Sequence, residues 1–189
     1  MLIKNSDFSK SFEPIIFNDT EILILGSLPG KKSIELNQYY GHPRNRMWTI
    51  LSKITNSEIS TDYASKKLFL KKHRIGLWDV AHGAERKGSL DSNIKREIPN
   101  DIQSLLVDFP SIKVIGFNGK KSEKMFFKYF TEKLGIKYVP LPSTSPANMA
   151  INFEEMCRKA GVSIVCENGI WRGEILGLEV IRVDEGDIQ

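Results

Sequence analysis

The segment from Gly26 to Arg46 concentrates residue types that bind small ligands. Its turn, Gly26 to Gly30, directly follows the short apolar run 22–25, which predicts a strand buried on both faces of a parallel sheet. A polar loop then leads to Asn45, whose side-chain amide both donates and accepts hydrogen bonds. Open α/β sheets bind ligands in loops at the carboxyl ends of their strands. We therefore expect a binding or catalytic site here.

The glycine turn does not fit the phosphate loop of nucleoside triphosphatases. That loop has four residues between its glycines and an adjacent Lys-Ser/Thr pair. Here three residues separate Gly26 from Gly30, and an additional Lys32 precedes the hydroxyl. Pro29 also lacks a backbone N–H that a phosphate would accept. The spacing excludes this class of nucleotide site.

Two polar side chains at predicted element ends allow both a structural and a functional interpretation. Asn45 precedes apolar residues with helical spacing, so its amide is either a helix cap or a catalytic group. Asp79 lies at the end of the apolar run 75–80, a further predicted strand, and its carboxylate is either a structural acceptor or a functional group. Both pairs of alternatives stay open at this point.

Apolar runs alternate with helical patterns along the chain. The predicted strands are 22–25, 75–80, 112–117 and 137–142. Four helices are predicted: one begins at Asn45, one covers 61–72, one follows the capping signal at 100–103, and one covers 120–134. The segments 1–20 and 81–92 are expected to be a loosely structured lead-in and a loop. This alternation predicts an α/β fold, a three-layer α/β/α sandwich around a central, mainly parallel four-stranded sheet. Right-handed connections place the loops after all four strands along one edge.

We expect a single domain over residues 1–189. With 189 residues, of which 41% are hydrophobic, the chain can bury a normal core. Beyond residue 150, a predicted helix at 153–160 and β-like runs at 162–166 and 178–183 form a C-terminal extension over 151–189. The role of this extension stays open.

Composition limits the class of protein. The 27 Lys and Arg against 23 Asp and Glu give a net charge of +4, which permits a nucleic-acid partner. No apolar run approaches the ~20 residues that span a bilayer, and the N-terminus lacks a signal-peptide layout, so we expect a cytoplasmic protein with no membrane partner. Cys157, Cys166 and three scattered histidines form no ligand cluster, and we expect no metal or cofactor.

Four segments, taken in order, resemble the motifs of the uracil-DNA glycosylase superfamily. The first joins the turn Gly26-Ser27-Leu28-Pro29-Gly30 to Tyr40 and to His42-Pro43-Arg44-Asn45-Arg46-Met47-Trp48; the others are Leu77 to Val80 with Arg86 and Gly88 to Asp91, then Phe117 to Lys121, then Leu141 to Asn148. They are similar to the mismatch-specific uracil/thymine branch, and most similar to the hypoxanthine-DNA (deoxyinosine) glycosylase branch. The resemblance covers about residues 8–150.

The first motif departs from the mismatch-specific branch at one position. That branch has, third in its glycine turn, the Asn that positions the hydrolytic water, whereas this chain has Leu28. The hypoxanthine branch also lacks that Asn. The resemblance implies that Asn45 is the important catalytic amide instead, with Asp79 as a second candidate that supports the cationic sugar.

The resemblance implies a glycosylase that hydrolyses the N-glycosidic bond of a deaminated base, with hypoxanthine as the expected base. This chemistry needs a flipped base, donors aimed at it and an oriented water, and no metal. Tyr40 would stack on the flipped base. The other implied base contacts are Ser27, Leu28, Phe117 and Asn118. On the residues alone, Asn118 before Gly119 is equally a turn residue.

Implied DNA contacts lie in the last motif and among basic residues at the same sheet edge. The loop 143–148 would bind phosphates through its hydroxyls and insert an apolar wedge, although its composition is also that of an ordinary turn. Its members are Ser143, Thr144, Ser145, Pro146, Ala147 and Asn148. Lys31, Arg44 and Lys120 are either phosphate contacts or solvated charges.

The expected protein is thus a monofunctional, monomeric DNA glycosylase acting on DNA that contains a deaminated base. Two alternatives stay open. The first is a glycosylase with uracil, xanthine or a mismatch as its substrate. The second is a non-catalytic module on the same fold that binds damaged DNA or a nucleotide.

Overall fold

The computed structural model describes residues 8–148, 151–152, 154–156, 163–167, 170–175 and 178–183, the last three ranges by their backbone. The strands are β1 Phe8–Lys10, β2 Ile22–Gly26, β3 Ile75–Asp79, β4 Ala81–Arg86, β5 Ile94–Pro99, β6 Val114–Asn118, β7 Lys137–Leu141, β8 Ser163–Glu167, β9 Ile170–Ile175 and β10 Leu178–Val183. The α-helices are α1 Lys31–Leu36, α2 Met47–Thr55, α3 Tyr63–Lys72, α4 Ile102–Asp108 and α5 Lys120–Tyr129.

The central sheet has the strand order β3-β2-β6-β7, and every neighbouring pair is parallel. Strand β2 is buried on both faces because its side chains alternate between two cores. Ile22 and Ile24 belong to the core that contains residues of α2 and α3, whereas Leu23 and Leu25 belong to the core that contains residues of α4 and α5. The predicted three-layer α/β/α sandwich with a parallel four-stranded sheet is confirmed.

The prediction of a loop at 81–92 is wrong in its first half. Strand β4 pairs antiparallel with both β1 and β5, so a second, three-stranded sheet has the order β1-β4-β5. Gly83 and charged side chains hide the strand pattern in this segment; Ala81, Ala84 and Arg86 are nevertheless buried. Part of the expected lead-in is ordered as β1 for the same reason, because its backbone pairs with β4.

The end of α5 and the start of α4 differ from the predictions, because nearby residues form other contacts. Helix α5 ends at Tyr129 rather than near residue 134, because the backbone of Phe130 is extended and its ring packs against Phe126 at 5.1 Å. Helix α4 is capped by Asp101, whose carboxylate accepts from the Ser104 N–H. Asn100, the first residue of the predicted capping signal, donates instead to the Asp79 carbonyl oxygen at 2.8 Å.

The C-terminal extension forms a separate antiparallel sheet of order β10-β9-β8. The two β-like runs at its ends are confirmed as β8 and β10, with β8 beginning one residue later than expected, while β9 between them was not predicted. Of the predicted helix 153–160, residues 154–156 are helical and the others lie outside the described residues. Within the described part of the chain, no helix is long and apolar enough to cross a membrane.

Candidate active site

A pocket lies at the carboxyl ends of β2, β3 and β6, where the right-handed crossovers were expected to bring the loops together. It is lined by the Gly26–Gly30 turn, by the segment around Tyr40 to Asn45, and by residues that follow β3, β6 and β7. Among its lining residues are the predicted site residues Ser27, Leu28, Lys31, Tyr40, Asn45, Asp79, Asn118, Ser143, Ser145 and Pro146. The tertiary structure therefore brings most of the predicted site together.

The glycine turn is held in place by hydrogen bonds that its carbonyl oxygens accept from neighbouring residues. The carbonyls of Gly26 and Ser27 accept from the backbone N–H groups of Val80 and Ala81, at 2.8 and 3.2 Å. Those of Leu28 and Pro29 accept from the two terminal nitrogens of Arg86. This pattern fixes the backbone of the turn against the neighbouring strands. Leu28 itself belongs to the core, and its side chain has no polar atom to bind a water.

The last residue of β4 and the segment that follows it contribute three residues to this support, for which the sequence predicted no role. Arg86 is buried, with the charges of Asp79 and Asp91 nearby; burial lowers the pKa of its guanidinium and the two carboxylates raise it. Asp91 accepts from the Ser27 hydroxyl at 2.8 Å, and Ser89 accepts from the Lys31 backbone N–H at 3.1 Å. The family motif at 86–91 was the available signal, because it contains all three residues.

Asp79 and Tyr40 form the floor of the pocket. Asp79 is only 4% exposed, and its Oδ2 accepts from the Ser11 hydroxyl at 3.1 Å. The Tyr40 hydroxyl is buried beside Asp79, while the Tyr40 backbone has a φ of 52°, which is uncommon for a residue other than glycine. The support of a sugar cation by Asp79 stays a prediction.

Asn45 lies between the pocket and the first turn of α2. Its Oδ1 accepts from the backbone N–H of Met47, the first residue of α2, at 2.9 Å. Its Nδ2 donates no hydrogen bond to any residue that the structure describes, and the residue lines the pocket. One end of the amide therefore starts the helix, and the other end is available to a ligand. The catalytic role of Asn45 stays a prediction.

Asn118 is the last residue of β6 rather than a turn residue, and Gly119 has the positive φ, 101°. Its amide forms two hydrogen bonds with Thr144 in the loop after β7. Thr144 is 5% exposed. Its hydroxyl therefore supports the loop from below and is not placed to bind phosphate, contrary to the prediction.

The loop 143–148 is braced at its base by Arg46. One terminal guanidinium nitrogen of Arg46 donates to the carbonyl of Asn148 at 2.6 Å, and the other donates to that of Ile151 at 2.8 Å. Asn148 in turn donates from Nδ2 to the carbonyl of Ser143 at 2.9 Å. The loop thus has a defined shape, with Ala147 exposed at its surface and Pro146 half-buried at the pocket rim. Its function as a wedge stays a prediction.

The remaining predicted contacts divide between surface and core. Lys31, Arg44 and Lys120 are exposed, as phosphate contacts must be. Phe117 is 1% exposed, packs against Phe126 at 5.2 Å, and its carbonyl accepts from the Gly119 N–H. The Phe117 ring therefore belongs to the core and is not available to a base, and contact through the Phe117 backbone stays a prediction.

No group of three or more His, Cys, Asp or Glu side chains lies close enough together to hold a metal ion among the residues that the structure describes. The chemistry available in the pocket is that of hydrogen bonding. The polar side chains around the rigid backbone turn include two carboxyls, Asp79 and Asp91, two phenols, Tyr39 and Tyr40, and two amides, Asn45 and Asn118.

Comparisons with known proteins agree with this geometry. The model of the Uracil DNA glycosylase superfamily matches residues 14–160. A protein named Hypoxanthine DNA glycosylase from Methanosarcina barkeri is 41% identical over 140 residues, which cover 74% of this chain and 87% of that protein. A protein of the same name from Methanosarcina acetivorans is 39% identical over 140 residues, with the same coverage of 74% and 87%.

A solved structure shows the same fold. The solution NMR structure of a candidate uracil DNA glycosylase from Methanosarcina acetivorans superposes with a TM-score of 0.69 at 35% identity, and the match covers 80% of this chain and 94% of that one. The matched family region contains every element that lines the pocket. The chain belongs to the uracil DNA glycosylase superfamily.

Proposed function

We propose that this protein is a monofunctional DNA glycosylase that releases a deaminated base, hypoxanthine, from DNA. Family membership and the names of the two Methanosarcina relatives support this activity. The observation that carries the proposal is the arrangement of Asn45, whose Oδ1 is fixed by Met47 N–H while its Nδ2 is left for a ligand in the pocket.

The residues of the pocket act by position rather than by proton transfer from Asn45. An amide has no useful pKa, so Asn45 either holds the attacking water or donates to the departing base. Hydrolysis breaks the bond between the sugar C1′ and the base nitrogen, and the base departs with the bonding electron pair. A fixed donor lowers the barrier because it is already aimed at the charge that develops.

The surroundings of the pocket support DNA as the partner. Lys31 and Arg44 are exposed beside the pocket, and Lys120 is exposed at the start of α5, directly after β6. The braced loop 143–148 forms part of the rim, so it can fill the gap that a flipped base leaves in the stack. These residues contact the DNA backbone, while the pocket receives the base.

A single-turnover assay tests the proposal. Protein in excess is incubated with a duplex that contains one deoxyinosine, and free hypoxanthine is measured by chromatography. The resulting abasic site is then cleaved with hot alkali and the strands are separated. We expect stoichiometric hypoxanthine and alkali-dependent cleavage, and neither from a duplex with deoxyadenosine at the same place. Intact strands and no free base after long incubation would refute the activity.

The position of Leu28 supports a second candidate function, that of a non-catalytic module that binds damaged DNA. Leu28 occupies the place of the water-holding Asn of the mismatch-specific branch, and it is buried. Such a module would retard the deoxyinosine duplex in a gel without releasing base. The same assay therefore separates the two candidates.

A further inference from the structure

Asp79 is a buried carboxyl group that forms no ion pair within the described residues. Its Oδ2 accepts from the Ser11 hydroxyl, and its backbone carbonyl accepts from Asn100. Its Oδ1 lies above the end of β2, so close that a Cβ placed on Gly26 would be 2.4 Å from it. Only glycine at position 26 leaves room for the carboxyl oxygen, which faces the pocket.

The Tyr40 hydroxyl lies over the same glycine. It is 3.5 Å from the place that a Gly26 Cβ would occupy. The oxygen is buried and forms no hydrogen bond of normal length among the described residues, and the Asn118 side chain lies near enough to lower its pKa. A buried hydroxyl left unpaired is costly, and native proteins rarely tolerate one without a reason. Tyr40 and Asp79 both line the pocket, so a base that enters it meets both residues.

The two oxygens form a pair with opposite hydrogen-bonding capacity. An ionised carboxyl oxygen only accepts hydrogen bonds, whereas the phenol is also able to donate one. Deamination changes the edge of a base in the complementary sense: a ring nitrogen that accepted becomes an N–H, and an amino group becomes a carbonyl. Hypoxanthine thus presents N1–H and O6, whereas adenine presents a bare N1 and an amino group.

We propose that Asp79 and Tyr40 determine specificity by binding this edge, with Asp79 Oδ1 accepting the ring N–H and the Tyr40 hydroxyl donating to the adjacent carbonyl. The inference rests on the proposed function, since it assigns the base that the pocket receives. It uses the Tyr40 hydroxyl, not the ring face that the family resemblance assigns to stacking. Adenine is disfavoured because its bare N1 faces the ionised Asp79 Oδ1, which places one lone pair against another.

The protonation states of the two oxygens depend on their burial and on neighbouring charges. Burial raises the pKa of Asp79 to about 7, opposed by the hydrogen bond from Ser11. The charge of Asp91 raises this pKa further, and that of Arg86 lowers it. A base N–H pointing at Oδ1 would stabilise the ionised form. Burial, and then the charge of Asp79, raise the pKa of Tyr40, which keeps its hydroxyl protonated as a donor.

Equilibrium binding to non-cleavable strands separates recognition from chemistry. The probes are duplexes with one 2′-fluoro-arabino-inosine or one 2′-fluoro-arabino-adenosine, because the fluorine prevents loss of the base. The variants are Asp79→Asn and Tyr40→Phe, with Asp62→Asn and Tyr129→Phe as controls. Asp62 is an exposed cap of α3, where Asn is equally suitable, and Tyr129 bonds Glu97 on β5 away from the pocket. Melting temperatures verify that each variant is folded.

Wild type is expected to favour the inosine probe over the adenosine probe at least about tenfold, the effect of leaving a buried polar group unpaired. Asp79→Asn should lower this ratio about tenfold, since an amide can turn its N–H toward adenine N1. Tyr40→Phe should weaken inosine binding about threefold to tenfold and leave adenosine binding unchanged. The controls should keep the wild-type ratio.

An unchanged ratio in both folded variants would overturn the inference, as would a wild type that binds the two probes equally. If Asp79→Asn does not fold, the Tyr40→Phe result decides alone. Failure of the proposed function has a different signature. In that case wild type releases no hypoxanthine from the cleavable deoxyinosine duplex, whatever its preference between the probes.

Discussion

Asn118 and Thr144 join the end of β6 to the loop after β7 through a reciprocal pair of hydrogen bonds. The Thr144 backbone N–H donates to Asn118 Oδ1 at 2.8 Å, and Asn118 Nδ2 donates to Thr144 Oγ1 at 3.0 Å. Both residues are buried, so water does not compete for these groups. The pair fixes the distance between the pocket and the loop that would contact DNA.

Replacing Thr144 with Val keeps the shape of the side chain and removes the acceptor of Asn118 Nδ2. We expect the free energy of unfolding to fall by about 1–3 kcal/mol, because a buried donor loses its partner. Base release should fall as well, since the loop is no longer held. Denaturant unfolding and the single-turnover assay measure the two effects. Thr49→Val, at an exposed position of α2, is the matched control. Equal stability of Thr144→Val and wild type would contradict the structural role.

Two substitutions of Asn45 separate its helix-starting role from its proposed catalytic role. Asn45→Asp keeps the oxygen that accepts from Met47 N–H and removes the Nδ2 donor. We expect it to retain the melting temperature and to lose base release by about 100-fold, the effect of removing one preorganised donor. Asn45→Ala should lose both properties, with a stability cost of about 0.5–2 kcal/mol. An Asn45→Asp enzyme as active as wild type would exclude a role for the Nδ2 donor.

Asp79→Asn should stabilise the protein at alkaline pH. The folded-state pKa of about 7 is raised above its ordinary value, so the contribution of Asp79 to stability is full in acid and is lost as pH rises toward 7. The variant does not titrate, and its amide oxygen still accepts from Ser11. The melting temperature of the variant minus that of wild type should therefore increase between pH 5 and pH 8, by roughly 2 °C or more. A constant difference over that range would show that Asp79 is ionised at both pH values.

DNA binding should depend on salt through the exposed basic residues at the pocket edge. Each phosphate that Lys31, Arg44 or Lys120 neutralises contributes about 0.9 to the slope of log affinity against log salt concentration. Single alanine variants should each reduce this slope by about one and weaken binding to undamaged and inosine-containing DNA equally. Lys72→Ala is the control, because Lys72 ends α3 at the opposite edge of the sheet. A slope unchanged in all three variants would place the DNA elsewhere.

The amino-acid sequence by itself determined the central architecture and the region of the site. Runs such as 22–25 and 114–117 are apolar throughout because parallel strands are covered on both faces, and helical spacing identifies α2 because one face is buried. The alternation of strands and helices along the chain then places the loops that follow the strands at one edge of the sheet. The region of the site follows from this alternation, whereas Asn45 and Tyr40 were assigned roles because the motifs resemble those of the uracil-DNA glycosylase superfamily.

The tertiary structure decided how those residues are used, since their partners are remote in sequence. Ser11 reaches Asp79 across 68 positions, and Arg86 reaches Leu28 across 58. No local pattern encodes such pairs. For the same reason the antiparallel pairing of β4 and the burial of Thr144 were not foreseen. The approach of Asp79 and Tyr40 over Gly26 likewise requires three segments to be packed together before the pocket floor exists.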